Sequence, residues 1–250
     1  MSLEGASGLS LGSGGLPSDP PCMRHACHRG LGLAFAKAAH ALGASKVYAG
    51  MRNTEGFDVP GLTPVRLDVT DDASVRAAAA MCQDVTLVVN NAGIVSLMNG
   101  PLDQNMDELS RTLMETNYFG IIRVSQAFAP VLAANGGGAF INVLSDATWL
   151  SVPMLAAYAA SKSAAWSVTN ALRLQLKSQG TQVVALHVGF LDTDMTKGFD
   201  MPKSSPDLVA RKVYAGLEAG ALEVLADEGT VQVKSTLSSS ELVYFDPPSF

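Results

Sequence analysis

Charged residues, cysteines and long apolar runs are all scarce in this chain. Only 16 % of its 250 residues are charged, and three are cysteines. Three thiols cannot build a disulfide framework in a chain this long, so a reducing cytoplasm is the expected compartment. No apolar run reaches the ~18 residues of a membrane span. The first twenty residues hold no Lys or Arg, which excludes the basic n-region of a secretory signal. A net charge of −6 lacks the basic face that a non-specific nucleic-acid binder needs. What is present is apolar material: 48 % hydrophobic residues and a mean hydropathy of +0.21. That excludes a wholly disordered chain. It also supplies a core able to bury roughly 70–75 % of the unfolded surface.

Composition divides the chain into a Gly/Ser/Pro-rich segment (1–24), one domain (25–237) and a tail (238–250). Residues 1–22 carry five Gly, five Ser and three Pro, and read as flexible. Further on, short apolar runs at 46–51, 64–69, 85–90, 139–145, 182–188 and 222–226 read as strands buried on both faces. Helical stretches lie between them at 30–42, 73–82, 106–134, 156–178 and 206–219, with a last one at 231–237. This alternation predicts an α/β fold: a Rossmann-like, doubly wound parallel sheet flanked by helices on both faces. Ligands of such sheets sit at the carboxyl ends of the strands.

Residues at those ends carry the chemistry. Arg29-Gly30-Leu31-Gly32 opens the first helix, and its glycines would let backbone approach a pyrophosphate at the helix N-terminus; alone, it is equally a plain glycine turn. The next strand ends at Met51-Arg52, with no carboxylate for a ribose 2′-hydroxyl. Arg52 could instead pair with a 2′-phosphate, which favours NADP(H) over NAD(H). Asn90-Asn91-Ala92-Gly93 follows another strand; it suits a cofactor lying on backbone and also an Asx turn. Tyr158 and Lys162, spaced i,i+4, share one helix face. A cation beside a phenol favours phenolate and lowers its pKa. Ser145 ends the preceding strand and can converge with them on one carbonyl oxygen.

In order and spacing, these residues resemble the short-chain dehydrogenase/reductase family over about residues 29–226. The resemblance implies that Tyr158 is the general acid or base, that Lys162 lowers its pKa and holds the nicotinamide ribose, and that Ser145 polarises the substrate carbonyl. It implies a water-anchoring role for Asn117 and adenine contacts from Asp68 and Val69. Asn91, Ala92 and Gly93 would pack at the adenosine ribose, Gly189 would approach closely by backbone, and Thr193 would touch the carboxamide. It further implies a seven-stranded sheet, a small carbonyl or alcohol substrate, and a homodimer or homotetramer. No nucleic acid, membrane or metal is expected as partner. Cys22, His25, Cys27 and His28 lack the second ligand pair that a zinc site needs.

The sequence departs from the family in three places. The first strand should fall at about 18–24, where two prolines cannot serve a central strand; His25 and Ala26 replace the usual Thr-Gly. The expectation is therefore a missing first strand, in an N-terminus either remodelled or foreign to the gene. Val188-Gly189 replaces Pro-Gly. The segment from Thr193 to Pro206 is short, which implies an open pocket lined by Val95, Trp149, Phe190 and Met195. A damaged first strand also leaves a second reading: a non-catalytic dinucleotide sensor or scaffold on the same fold.

Overall fold

Strand and helix runs alternate in space as they do in the sequence. The computed structural model describes residues 7–11 (backbone only), 30–198 and 200–238. Seven strands form one parallel sheet: β1 (Ser7–Leu11), β2 (Lys46–Met51), β3 (Leu62–Arg66), β4 (Leu87–Asn90), β5 (Gly138–Val143), β6 (Thr181–His187) and β7 (Glu223–Leu225). Their order is β3-β2-β1-β4-β5-β6-β7. The order reverses between β1 and β4, and this is where such sheets take ligands.

The helices are α1 (Gly30–Ala41), α2 (Asp72–Met81), α3 (Met106–Met114), α4 (Gly120–Ala134), α5 (Ala156–Leu176), α6 (Pro206–Glu218) and α7 (Glu228–Thr236). They cover both faces. On one face Phe35 of α1 and Tyr214 of α6 pack edge to face at 5.5 Å, and the Tyr214 hydroxyl donates to the Phe35 carbonyl at 2.9 Å. On the other, Val75 of α2 and Phe128 of α4 share a core with Val88, Phe140 and Val183 of the sheet. The inner strands are buried on both sides, as their near-continuous apolar sequences require. Among the described residues no helix is long and apolar enough to cross a membrane.

One expectation needs correction. The central strand is not missing. Ser7–Leu11 pairs with β2 on one side (Ser7 opposite Lys46) and β4 on the other (Leu9 opposite Val88). Residues 1–24 are therefore not simply a flexible leader, since part of them forms the middle of the sheet. A central strand is held by backbone N–H and C=O groups pairing on both sides, which Gly and Ser supply as well as Val does. The prolines of 18–24 are no obstacle, because the strand lies upstream of them. The proline that does enter the sheet, Pro64, sits in edge strand β3.

The helix expected at 106–134 runs through that whole span, with one irregularity inside it. Residues Glu115–Phe119 form a π turn between α3 and α4. An inserted residue of this kind widens the turn and re-aims its side chains, often at a functional site. Arg29 and the Cys22, His25, Cys27 and His28 group lie outside the described residues, as does the tail beyond 238.

Candidate active site

The site grows from the carboxyl ends of β4, β5 and β6. Beyond β4, Asn91, Ala92 and Gly93 cross the switch point. The strands are tied together beneath them, where Asn90 Nδ2 donates to Asn142 Oδ1 at 2.8 Å and Asn142 Nδ2 to Thr169 Oγ1 at 2.9 Å. The backbone beyond Gly93 is fixed by Asn117 from the π turn. Asn117 Oδ1 accepts from Ile94 N at 2.8 Å, and Nδ2 donates to Ile94 O and Ser161 Oγ, both at 2.9 Å. The amide is fully used and fully buried. The side chain thus joins the β4 exit to α5 and is committed to protein groups, so any water-holding role falls to its backbone.

Beyond β5, Ser145 caps a short helical turn, with Oγ accepting from Ala147 N at 3.2 Å. Its hydroxyl donates to Asp146 Oδ1 at 2.9 Å. From α5, the Tyr158 phenol comes near enough to Ser145 for the serine to favour its ionised form, so the two converge as the spacing implies. Burial outweighs this and pushes the phenol up to about 12. This is opposite to the lowering expected from Lys162. The reason is geometric: Lys162 Nζ donates to Val143 O at 2.9 Å and lies 5.7 Å from the centre of the Tyr158 ring. Burial pushes Lys162 itself down to about 8. Tyr158 is therefore a protonated phenol at neutral pH, the form an acid needs.

Beyond β6, Gly189 N donates to Asp227 Oδ2 at 2.8 Å. Asp227 also caps α7 by accepting from Thr230 N at 2.8 Å. A Cβ at Gly189 would begin 3.3 Å from Asp146 Oδ2 and 3.4 Å from Asp227 Oδ1, so the backbone passes between two carboxylates. His187 lies behind Ser145. Its ring stacks on Trp149 at 3.9 Å, and Nδ1 sits 3.2 Å from the Ser145 carbonyl. Burial holds this imidazole down at about 4, so it is neutral. Facing a carbonyl, Nδ1 must carry the proton. Trp149 also meets Trp166 at 6.1 Å and lies under Lys234. These contacts commit the indole to the layer behind Ser145 rather than to an open pocket lining. Met195 is exposed, Val95 and Phe190 half-buried. The short segment after Thr193 folds back through a bridge between Leu191 and Ser204.

The residues expected to face a cofactor sit on the same edge. Gly30 opens α1 at φ 65°, and a Cβ there would meet Thr193 Cγ2 at 3.3 Å. Only glycine holds that backbone without strain. Leu31 and Gly32 are buried in the first turn. The α1 N-terminus and Thr193 thus face each other across a narrow gap. Arg52 is exposed just after β2 and forms no ion pair among the described residues. Asp68 Oδ1 accepts from Thr70 N at 2.9 Å and Thr70 Oγ1 at 2.7 Å, while Val69 O accepts from Arg123 at 3.2 Å. Gly120 lies against Val69, where a Cβ would come within 2.9 Å of Val69 Cγ2. Sequence reasoning missed Asp146, His187 and Asp227. Of these, only Asp227 had a legible signal, an Asp three residues before Thr230 at a helix start.

Residues 25–203 match a family model described as short chain dehydrogenase. The gluconate 5-dehydrogenase of Gluconobacter oxydans (strain 621H) is 31 % identical over 201 residues, 75 % of this chain and 77 % of that protein. The NADPH-dependent 1-acyldihydroxyacetone phosphate reductase of Schizosaccharomyces pombe (strain 972 / ATCC 24843) is 33 % identical over 66 % of this chain and 57 % of its own length. A short chain dehydrogenase from Burkholderia cenocepacia J2315, crystallised with NADP, superposes with a TM-score of 0.85 at 33 % identity, covering 96 % of this chain and 95 % of that one. A Burkholderia phymatum short chain dehydrogenase/reductase in complex with NAD shares the fold at 19 % identity, with a TM-score of 0.78 and full coverage of both chains.

Proposed function

Because the chain belongs to the short-chain dehydrogenase/reductase family, whose members are oxidoreductases acting on CH–OH and C=O groups, we propose that it is an NADP(H)-dependent carbonyl reductase with Tyr158 as its general acid. The observation that carries this reading is the approach of Tyr158 to Ser145 at the sheet edge where Gly30, Gly93 and Gly189 let the backbone pass close against Thr193, Asn117 and Asp227. The pyrophosphate belongs at the α1 N-terminus, where N–H groups and the helix dipole favour an anion. Arg52 takes the 2′-phosphate, Asp68 and Val69 border the adenine, and Asn91 and Ala92 carry the adenosine ribose on backbone. Thr193 meets the carboxamide, and Lys162 holds the nicotinamide ribose. When bound, the cofactor supplies the hydride. Tyr158 supplies the proton to the substrate oxygen, and Ser145 holds that oxygen in place.

A cytoplasmic setting and a homodimer or homotetramer belong to the same proposal, supported by the cysteine usage and the family. The binding-only alternative loses its motive, because Ser7–Leu11 occupies the central strand position.

Fluorescence titration with NADPH and NADH tests the cofactor assignment. Wild-type protein should bind NADPH in preference. Arg52→Asp should weaken NADPH by about 1.5–3 kcal/mol, the worth of a charged hydrogen bond, and shift preference toward NADH. An unchanged preference would refute the 2′-phosphate role.

The same titration run against pH tests Lys162. Its native value near 8 lies below that of a free lysine, so the charge is lost as pH rises through about 8. NADPH affinity should fall by about tenfold between pH 7 and 9.5, since one charged hydrogen bond is worth ~1.5–3 kcal/mol. Lys162→Met should bind weakly at both pH values. The sign for folding is opposite: the native state sheds this proton first, so stability gains from this group between about 8 and 10.5.

A further inference from the structure

Ser145 has one hydroxyl proton, and in this structure that proton is directed at Asp146 Oδ1, 2.9 Å away. Its oxygen accepts from Ala147 N and faces the Tyr158 phenol. A serine so engaged has nothing left to donate to a substrate carbonyl. We propose that the Asp146 carboxyl group sets the direction of the Ser145 hydroxyl and so decides whether Ser145 can polarise the substrate. This rests on the reading of Tyr158 and Ser145 given above. Asp146 is a positioning residue, acting through Ser145.

The two forms of the carboxyl group differ in what they offer. As a carboxylate, Asp146 only accepts, and a charged acceptor outcompetes a neutral ketone oxygen for the serine proton. As a carboxylic acid, it donates to Ser145 Oγ, and the serine proton turns toward the substrate. No proton is exchanged with the substrate; only the hydrogen-bond direction reverses. The surroundings favour the acid form. Burial raises Asp146 above the usual carboxylate range, and Asp227 across Gly189 raises it further; hydrogen bonds from Ser145 and Ala147 N oppose them. The other groups facing it are Tyr158 from α5 and, behind Ser145, the neutral His187 of β6. The cations of this layer are turned elsewhere, Lys162 to Val143 O and Lys234 to Glu223.

The test is NADPH-dependent reduction of phenanthrenequinone and of a panel of aldehydes and ketones, followed from pH 4.5 to 9.5. Wild-type kcat should fall roughly 100–1,000-fold as pH rises through the Asp146 titration, the weight of one donor to a developing alkoxide. A separate alkaline limb belongs to Lys162. Asp146→Asn keeps an acceptor for Ala147 N but does not titrate, and Asp146→Ala removes the acceptor. Both should lose the acidic-side fall and keep the alkaline limb, with KM little changed. If the fall persists at the same midpoint in both variants, Asp146 does not control Ser145 and the proposal is wrong. Tyr158→Phe separates the two readings: turnover in that variant within about tenfold of the wild type, or none in the wild type with any substrate, overturns the assignment of the site itself.

Discussion

Tyr158→Phe should lower carbonyl reduction by about 10²–10⁴-fold, the usual weight of a positioned general acid, while leaving the affinity for NADPH within about twofold. The substitution removes one oxygen and no packing, since the ring remains against α3 and its neighbours. Lys162 loses nothing, because its ammonium is held by Val143 O rather than by the phenol. Ser145 keeps its bonds to Asp146 and Ala147. The melting temperature should therefore stay within a degree or two. With the phenol held up at about 12 by burial, the wild-type group is protonated throughout the neutral range. The loss should accordingly be seen at every pH where the protein is folded. Parallel loss of turnover and NADPH binding would mean that the ring, not its hydroxyl, matters.

Asn117→Ala should do the reverse and damage fold and cofactor affinity together. Asn117 is wholly buried and satisfies Ile94 N, Ile94 O and Ser161 Oγ. Truncation strands Ile94 N and Ile94 O away from water, while Ser161 Oγ keeps its bond to Tyr158 O. At ~1–3 kcal/mol for each unsatisfied group, the total should reach about 3–5 kcal/mol, at the upper end for single substitutions. For a chain of this size each kcal/mol lowers Tm by about 2–4 °C, so a drop of roughly 10 °C is expected by calorimetry. The loop through Gly93 loses its tie to α5, and NADPH binding should weaken with it. A Tm shift under about 2 °C would show that the π turn holds itself without this amide.

The contrast between these residues mirrors what could be read from the chain. Tyr158, Lys162 and Ser145 were legible because their spacing is fixed by a helix face and a strand end. The inner strands were legible because burial on both sides leaves continuous apolar runs such as Val85–Val89. Ser7–Leu11 was not, since a Ser/Gly-rich stretch carries no apolar signature and its place is set by backbone pairing with distant strands. The π turn was equally silent, because an inserted residue leaves the apolar pattern of 106–134 nearly intact. The direction of the Tyr158 shift in the chain alone, upward through burial, was hidden for a related reason. Helical spacing puts the two on one face, but only the fold shows the ammonium turned to Val143 O.

The stack behind Ser145 has an optical consequence. Trp149 and Trp166 are the chain's two tryptophans, and they meet at 6.1 Å around the imidazole that carries the Ser145 carbonyl. The tryptophan emission of the protein thus originates from one spot, in the layer behind Ser145. A reduced nicotinamide, which absorbs where indoles emit, would quench that light by energy transfer from close range. The protein carries its own unlabelled reporter of an occupied site, and a silent emission on adding NADPH would speak against occupancy as directly as a lost activity.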